Sequence, residues 1–430
     1  MASKIWRKFL KAHGNSRLFF VSNTEPGNIT YTKYSLIQNN PYIQFLNSSR
    51  PCLRRFSSFN FQVGCSSTLS VRSKSRIQSL SFGQNLQYGV QRYCTNTAGY
   101  EEFQDKVKQL LSKSPTGTKE KLDEQLAVLQ ILCQHKAGTV TSADVTEAAK
   151  NINGDTLYEL ALVVYTLQEQ VGEDTIEFWV PLFRLASLAG NQDAKYTYAQ
   201  MLRLGTGVDP DPLEAAKLFR DLADDGHPYA QFALAGMYYH GIGMEKDFES
   251  AFDLYEKSSK NGVDIAFSML GNMYLNGHAV EQNYKLALQF FQQGAKKGDP
   301  TAELSLAHCY SYGKGVTQDL TKAFEYHLSA AEKGHPIALY NTGTQYFAGK
   351  GVEISMEKAA QYFEKAADLG FELAQINLGN MYYNGLGVER DWNRAKELYR
   401  QAAPTNQNAA SLLKEVEEEE RKLREQKPEE

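Results

Sequence analysis

The sequence predicts an all-α solenoid of helix-turn-helix units repeated with a 36-residue period. Three observations carry that reading. Alanine recurs at Ala194, Ala230, Ala266, Ala302, Ala338, Ala374 and Ala410, each step 36 residues long. Glycine keeps the same step at Gly205, Gly241, Gly277, Gly313, Gly349 and Gly385, and again at Gly226, Gly262, Gly298, Gly334 and Gly370. Between these columns apolar residues recur at i, i+4, i+5 and i+8, as in Ala266, Leu270, Gly271 and Tyr274, which places them on one helical face. A helix pair with one such face cannot bury it alone, so self-similarity at this period means units stacked on one another.

Residues 1–94 read as an address. The first hundred residues hold 13 Lys/Arg against one acid, Glu25, for a net charge of +12, and the rest of the chain carries −16. The opening Lys4-Ile5-Trp6-Arg7-Lys8-Phe9-Leu10-Lys11 places Ile5, Phe9 and Leu10 on one helical face and the bases on the other. A basic, Ser-rich, acid-poor and amphipathic start is the composition of a mitochondrial transit peptide. Arg92-Tyr93-Cys94 resembles a matrix processing site, with the cut after Tyr93 or Cys94. A basic tail held on anionic surfaces would share this composition. No stretch of 18 apolar residues occurs, so a membrane-spanning helix is not expected.

Residues 95–155 hold two amphipathic patterns, Phe103–Leu111 and Leu122–Cys133, and the sequence leaves open whether they stack on the array. Residues 156–192 keep the register of a second helix, since Phe183 and Gly190 stand 36 before Phe219 and Gly226, but lack the loop glycines. That is the form of a degenerate capping repeat.

Six full units follow over residues 193–408. The first helix of each carries a small residue at its centre (Ala199, Ala235, Gly271, Ala307, Gly343, Gly379), which admits a neighbouring helix. The Gly after it suits the left-handed C′ position. The second helix begins at Asp211, Asp247, Asn283, Asp319, Ser355 or Asp391, all residue types whose short side chains accept from the exposed N–H groups of a helix start. Its second turn carries Phe219, Tyr255, Phe291, His327, Phe363 or Tyr399, with the histidine the odd member. Pro228, Pro300 and Pro336 stand where the next first helix starts, a place that tolerates a missing N–H. Residues 409–430 read as a charged C-terminal capping helix, with an acidic interaction tail as the alternative.

The pattern Ala-x-x-x-Leu-Gly-x-x-Tyr-x-x-Gly-x-Gly-Val-x-x-Asp-x-x-x-Ala, followed by an aromatic, Ala and Gly, resembles the Sel-one-like repeat, a cousin of the tetratricopeptide repeat. The resemblance covers residues 193–408, and its departures are Ala279 for Gly, Asn283 and Ser355 for Asp, and His327 for an aromatic. It implies a right-handed superhelix and a role as an adaptor for protein complexes.

Chemistry is sparse. The Gly-x-Gly-Val loops follow helices and lack the Gly-x-Gly-x-x-Gly and Gly-Lys-Thr patterns of phosphate cradles, so capping explains them. No Gly-x-Ser-x-Gly elbow and no His-Glu-x-x-His motif occurs, and His308 and Cys309, being adjacent, point about 100° apart on a helix. No catalytic set, metal site or cofactor is expected, and no small-molecule substrate. Binding is better supported. By analogy with tetratricopeptide stacks, the residues three, six and ten after each column Ala line a concave groove for partner protein segments. They include Asn272, Asn276, His308, Tyr312, Asn341, Asn377, Asn380 and Asn384. Side-chain amides offer donors and an acceptor to a peptide backbone. The expectation is a non-enzymatic adaptor in the mitochondrial matrix, with complex assembly and stress relay as open processes. The alternatives are an organellar RNA-binding repeat protein and a respiratory-chain assembly or translation factor. Residues 193–408 carry a net −7, which disfavours nucleic acid.

Overall fold

The computed structural model describes residues 97–112, 119–136, 140–171 and 176–425, and among them all regular structure is helical. The leader, with its Arg92-Tyr93-Cys94 site, lies outside the described residues. The described residues fall into two compact units, 97–266 and 267–425.

The first unit opens with α1 (Thr97–Leu111), α2 (Lys119–Lys136), α3 (Ser142–Ala149), α4 (Gly154–Val171) and α5 (Ile176–Leu188). The two amphipathic segments do stack. Phe103, Val107 and Leu111 of α1 and Val128, Leu129 and Leu132 of α2 share one core with Leu157, Leu160 and Val164 of α4 and Leu182 and Phe183 of α5. Ala194 and Met201 of the first repeat belong to the same core. Helix α3 was not expected. Thr141 caps it, accepting from the Asp144 N–H while Asp144 accepts from the Thr141 N–H at 2.7 Å, a reciprocal box that fixes the helix start.

The repeats supply α6 (Gln192–Leu204), α7 (Pro212–Asp224), α8 (Pro228–His240) and α9 (Phe248–Lys260) in the first unit. In the second stand α11 (Tyr284–Lys296), α12 (Pro300–Tyr312), α13 (Leu320–Glu332), α14 (Pro336–Ala348), α15 (Met356–Asp368), α16 (Glu372–Asn384), α17 (Trp392–Ala402) and α18 (Gln407–Glu425). Helix α10 (Ile265–Asn276) carries the division between the two units. Each column of the sequence has a visible task. The first loop glycine is left-handed, at φ 72° for Gly205 and 66° for Gly349, and its N–H closes the helix by donating to the carbonyl four residues back. The Asp/Asn/Ser column caps every second helix as expected. The N–H of the capping residue also donates back across the loop, from Asp319 to Tyr310 O at 2.9 Å and from Ser355 to Tyr346 O at 3.0 Å. Each hairpin is thus closed from both sides.

The central small residue is the notch for the ring of its own second helix. A Cβ placed on Gly271 would lie 2.5 Å from the Phe291 ring, on Gly343 2.8 Å from Phe363, and on Gly379 2.6 Å from Tyr399. The column alanines from Ala194 to Ala374 are completely buried. The second loop glycine does more than end a helix. Gly243, Gly315, Gly351 and Gly387 rest on the backbone of the residue that opens the preceding unit's second helix, namely Pro212, Tyr284, Leu320 and Met356. In this column the third unit has Ala279, held at φ 63°, the one non-glycine residue with positive φ among the described residues. The left-handed region costs an L-residue about 1–2 kcal/mol, and glycine returns about 0.4–1 kcal/mol of that through unfolded-chain entropy. Ala279→Gly is therefore expected to stabilise the fold by about 0.5–1 kcal/mol, read from a urea midpoint. A lower midpoint would refute the strain.

The last column alanine breaks step. Ala409, not Ala410, is the fully buried residue of α18, while Ala410 is half-buried. Asn406 stands where earlier units have their second-helix Gly, and it caps α18 itself by accepting from the N–H groups of Asn408 and Ala409. The helix starts at Gln407, one residue ahead of the 408 that the 36-residue step from Glu372 gives and two ahead of the expected 409. Three of its acids face the array: Glu417 meets Arg400 and Glu420 meets Lys396 at 2.6 Å, and Tyr383 donates to Glu419. Ala409, Leu412 and Val416 cover Ile376, Ala395 and Tyr399. The segment is a docked cap.

Candidate protein-interaction face of the first helices

The residues expected to line a groove sit on α10, α12, α14 and α16, and the structure separates them into three kinds. Asn276 and Tyr312, both at the last turn of a first helix, are exposed, Tyr312 by 53%. Asn272, His308, Asn341 and Asn384 are half-buried. Asn377 and Asn380 are buried at 2% and 1% exposure.

That burial corrects the expectation that all of these faced solvent. The Tyr399 hydroxyl donates to Asn380 Oδ1 at 2.6 Å, and Asn377 Nδ2 donates to the Tyr340 hydroxyl at 3.4 Å. Both asparagines therefore serve the packing of the sixth unit. The second-helix column held part of the signal: Tyr399, like Tyr255, brings a buried hydroxyl into a row of rings, and in the sixth unit an asparagine stands in reach to accept it. Asn384 is also partly spent, its Nδ2 donating to Asn380 O at 2.8 Å within the same helix.

The accessible part of the face is narrower than expected and lies on α10, α12 and α14. The His308 ring stands 4.6 Å from the ring of Tyr312. Burial, with a smaller contribution from the Lys314 cation, pushes the His308 imidazole down to about 4, so the face is uncharged there at neutral pH. Next to it Cys309 is fully buried, in a core with Phe291. Burial raises its thiol to about 11, and it is held as the unreactive protonated form. Asn341 reaches the other way, its Nδ2 lying 3.2 Å from His327 Nε2. In the first unit the corresponding positions are Thr197, Gln200, Leu204, Ala233, Gly236 and His240. Gln200 is occupied locally, accepting twice from Arg203 at 2.7 and 2.9 Å.

Two further capping residues escaped the sequence reading. His227 and His335 each cap the helix that follows, with Nδ1 accepting from the N–H of Ala230 and Ala338. The signal is the Gly-His-Pro run at 226–228 and 334–336, parallel to Gly-Asp-Pro at 298–300.

The geometry of a small notch residue, a capped second helix and a left-handed loop repeats six times, and the Sel1 repeat family profile matches at each one: residues 192–227, 228–263, 268–299, 300–335, 336–371 and 373–403. Residues 192–403 are six Sel1 repeats. A solved Sel1 repeat protein from Oxalobacter formigenes is 28% identical, with a TM-score of 0.50 over 58% of this chain and 100% of that one. A protective antigen of uropathogenic Escherichia coli displaying an SLR fold is 27% identical, with a TM-score of 0.44 over 71% of this chain and 66% of that one. No curated protein sequence matches. Sel1-repeat proteins are in general protein-interaction scaffolds and typically non-catalytic. Among the described residues no helix is long and apolar enough to cross a membrane.

Proposed function

We propose that this protein is a non-enzymatic adaptor that holds a segment of a partner protein along α10, α12 and α14, and that it works in the mitochondrial matrix. The observation that supports the binding site is a row of polar and aromatic side chains, Asn272, Asn276, His308 and Tyr312, left half-buried or exposed beside columns that are fully buried. Repeated amides and a ring at fixed intervals suit an extended peptide, whose backbone offers a donor and an acceptor at every residue.

The test is a triple variant, Asn272→Ala, Asn276→Ala and Tyr312→Ala, compared with Asn380→Ala. The triple variant should melt close to wild type, because substitutions away from packed sites usually stay within about 0.5 kcal/mol each. It should lose partners in proximity labelling, since each lost hydrogen bond weakens binding by about 0.5–1.5 kcal/mol. Asn380→Ala should instead destabilise by about 1–3 kcal/mol, because it orphans the buried Tyr399 hydroxyl. A triple variant that keeps the wild-type partner set would move the binding site off this face.

The matrix location rests on the +12 charge of residues 1–100 and their Ser-rich, acid-poor composition. N-terminal sequencing of the organelle-resident protein should find a start near residue 94, after Arg92-Tyr93 or Cys94. A resident form beginning at Met1 or Ala2 would sink the transit-peptide reading.

A further inference from the structure

The fourth unit puts a histidine where the other five have a buried ring. His327 shares its column with Phe219, Tyr255, Phe291, Phe363 and Tyr399, and it is 8% exposed. Both ring nitrogens are engaged by α14: Nδ1 lies 2.9 Å from Gln345 Oε1, and Nε2 lies 3.2 Å from Asn341 Nδ2. An amide oxygen only accepts and an amide nitrogen only donates. The pair of contacts therefore selects one neutral tautomer, in which Nδ1–H donates to Gln345 and Nε2 accepts from Asn341.

The surroundings have changed together with the ring. Gln345 occupies the column of Met201, Met237, Met273, Cys309 and Met381, and Thr342 that of Leu234, Leu270, Leu306 and Leu378. Asn341 and Gln345 are four residues apart and so share a helix face. In the other units the Gln345 column holds only methionine or cysteine. Between α13 and α14 the seam carries a histidine held by two amides.

We infer that His327 is a proton-operated switch for the side-chain amide of Asn341, which turns over when the ring gains its second proton. The added proton goes to Nε2, the nitrogen that faces Asn341. Two N–H donors then point at each other, and a half-turn of the amide relieves this by bringing Oδ1 to the ring. Asn341 is half-buried, and the half-turn puts its amino group where its carbonyl oxygen stood, on the side away from the ring. For partner binding this consequence rests on the face proposed above, where an acceptor would become a donor. The inversion itself does not depend on that reading.

The titratable groups that act on His327 are His308 of α12 and His335 at the N-cap of α14, and as either gains a proton it opposes protonation of His327. Burial pushes all three imidazoles down to about 4. The sign follows: the folded values lie below the unfolded value of about 6.5. The neutral rings contribute their full stability above that pH, and it is lost as pH falls from there towards about 4. Gln345→Glu brings the switch into a safer range, because a carboxylate opposite Nδ1–H favours the imidazolium and raises its pKa by about 1–3 units.

The experiment follows the Asn341 side-chain amide and the His327 ring by 15N NMR as pH is lowered, in wild type and in Gln345→Glu. The amide resonances should move with the same midpoint as the ring. In Gln345→Glu both midpoints should rise together by at least about one pH unit, and in His327→Phe the amide should no longer respond. A ring that titrates without moving the Asn341 amide overturns the switch. So does a ring in Gln345→Glu that stays neutral until the chain unfolds. Partner capture indifferent to Asn341→Ala would count against the binding face while leaving the inversion standing.

Discussion

Gly351→Val is expected to destabilise the second unit by more than about 3 kcal/mol, well beyond Gly349→Val two residues earlier. Both glycines are left-handed, at φ 76° and 66°, and a β-branched residue is strained at either. What they meet differs. A Cβ on Gly349 would lie 2.6 Å from Ile354 Cγ1, the side chain of a half-exposed residue that can swing away. A Cβ on Gly351 would fall on the Leu320 carbonyl, 2.5 Å from its carbon and nearer still to its oxygen. That carbonyl belongs to the first turn of α13 and can retreat only if the helix moves. Lys350→Val, at the exposed position between them, should stay within about 0.5 kcal/mol of wild type. Denaturant midpoints check the order, and equal losses for Gly349→Val and Gly351→Val would refute the backbone contact.

This pair shows what the sequence made legible. The columns gave the helices, their caps and the left-handed loops, because each is a local matter of one residue type at one backbone angle. The second glycine was read only as part of a cap, since its contact lies with a helix some 30 residues earlier and no local rule points there. Asn377 and Asn380 failed for a related reason. Offsets of three and six from the column Ala place a residue on the far side of its own helix, but whether that side meets water depends on the neighbouring helices. Tyr340 and Tyr399 close over it in the sixth unit. His327 stood out as an exception in its column. Gln345 did not, although a buried glutamine in a row of methionines carries the same signal. Helix α3 was legible in principle, since Thr141-x-x-Asp144 is a capping-box spacing.

Removal of α18 should be the most damaging change at the C-terminal end of the array. A chain ending at Thr405 uncovers Ile376, Ala395, Tyr399 and Ala402, all completely buried or nearly so under Ala409, Leu412 and Val416. Each large apolar side chain returned to water costs about 1.5–3 kcal/mol. Part of this is offset because the helix no longer has to be ordered, at about 1–2 kcal/mol per residue. What is not offset is the open apolar end left on α16 and α17, and an uncapped solenoid end loses solubility. The truncated protein should self-associate in size-exclusion chromatography, and its sixth repeat should exchange amide hydrogens far faster than its fifth. A monomeric truncation with an unchanged exchange pattern would show that α18 is an appendage. The Glu417 and Glu420 ion pairs with Arg400 and Lys396 should matter less, since partly exposed pairs contribute about 0–1 kcal/mol each.

The early start of α18 bears on how such a chain can change length over generations. Copying a 36-residue segment from within the six units preserves phase, because a donor Gly such as Gly334 or Gly370 returns the chain to the next first helix in step. Unequal exchange between repeats can therefore add or remove whole units there. Copying across Asn406 cannot. The one-residue advance turns α18 by about 100° from the phase of the first helices before it, which is why Ala409, rather than Ala410, faces the array. Whole units can thus be added inside the six repeats without loss of phase, and a single asparagine in place of a glycine marks where that 36-residue phase stops.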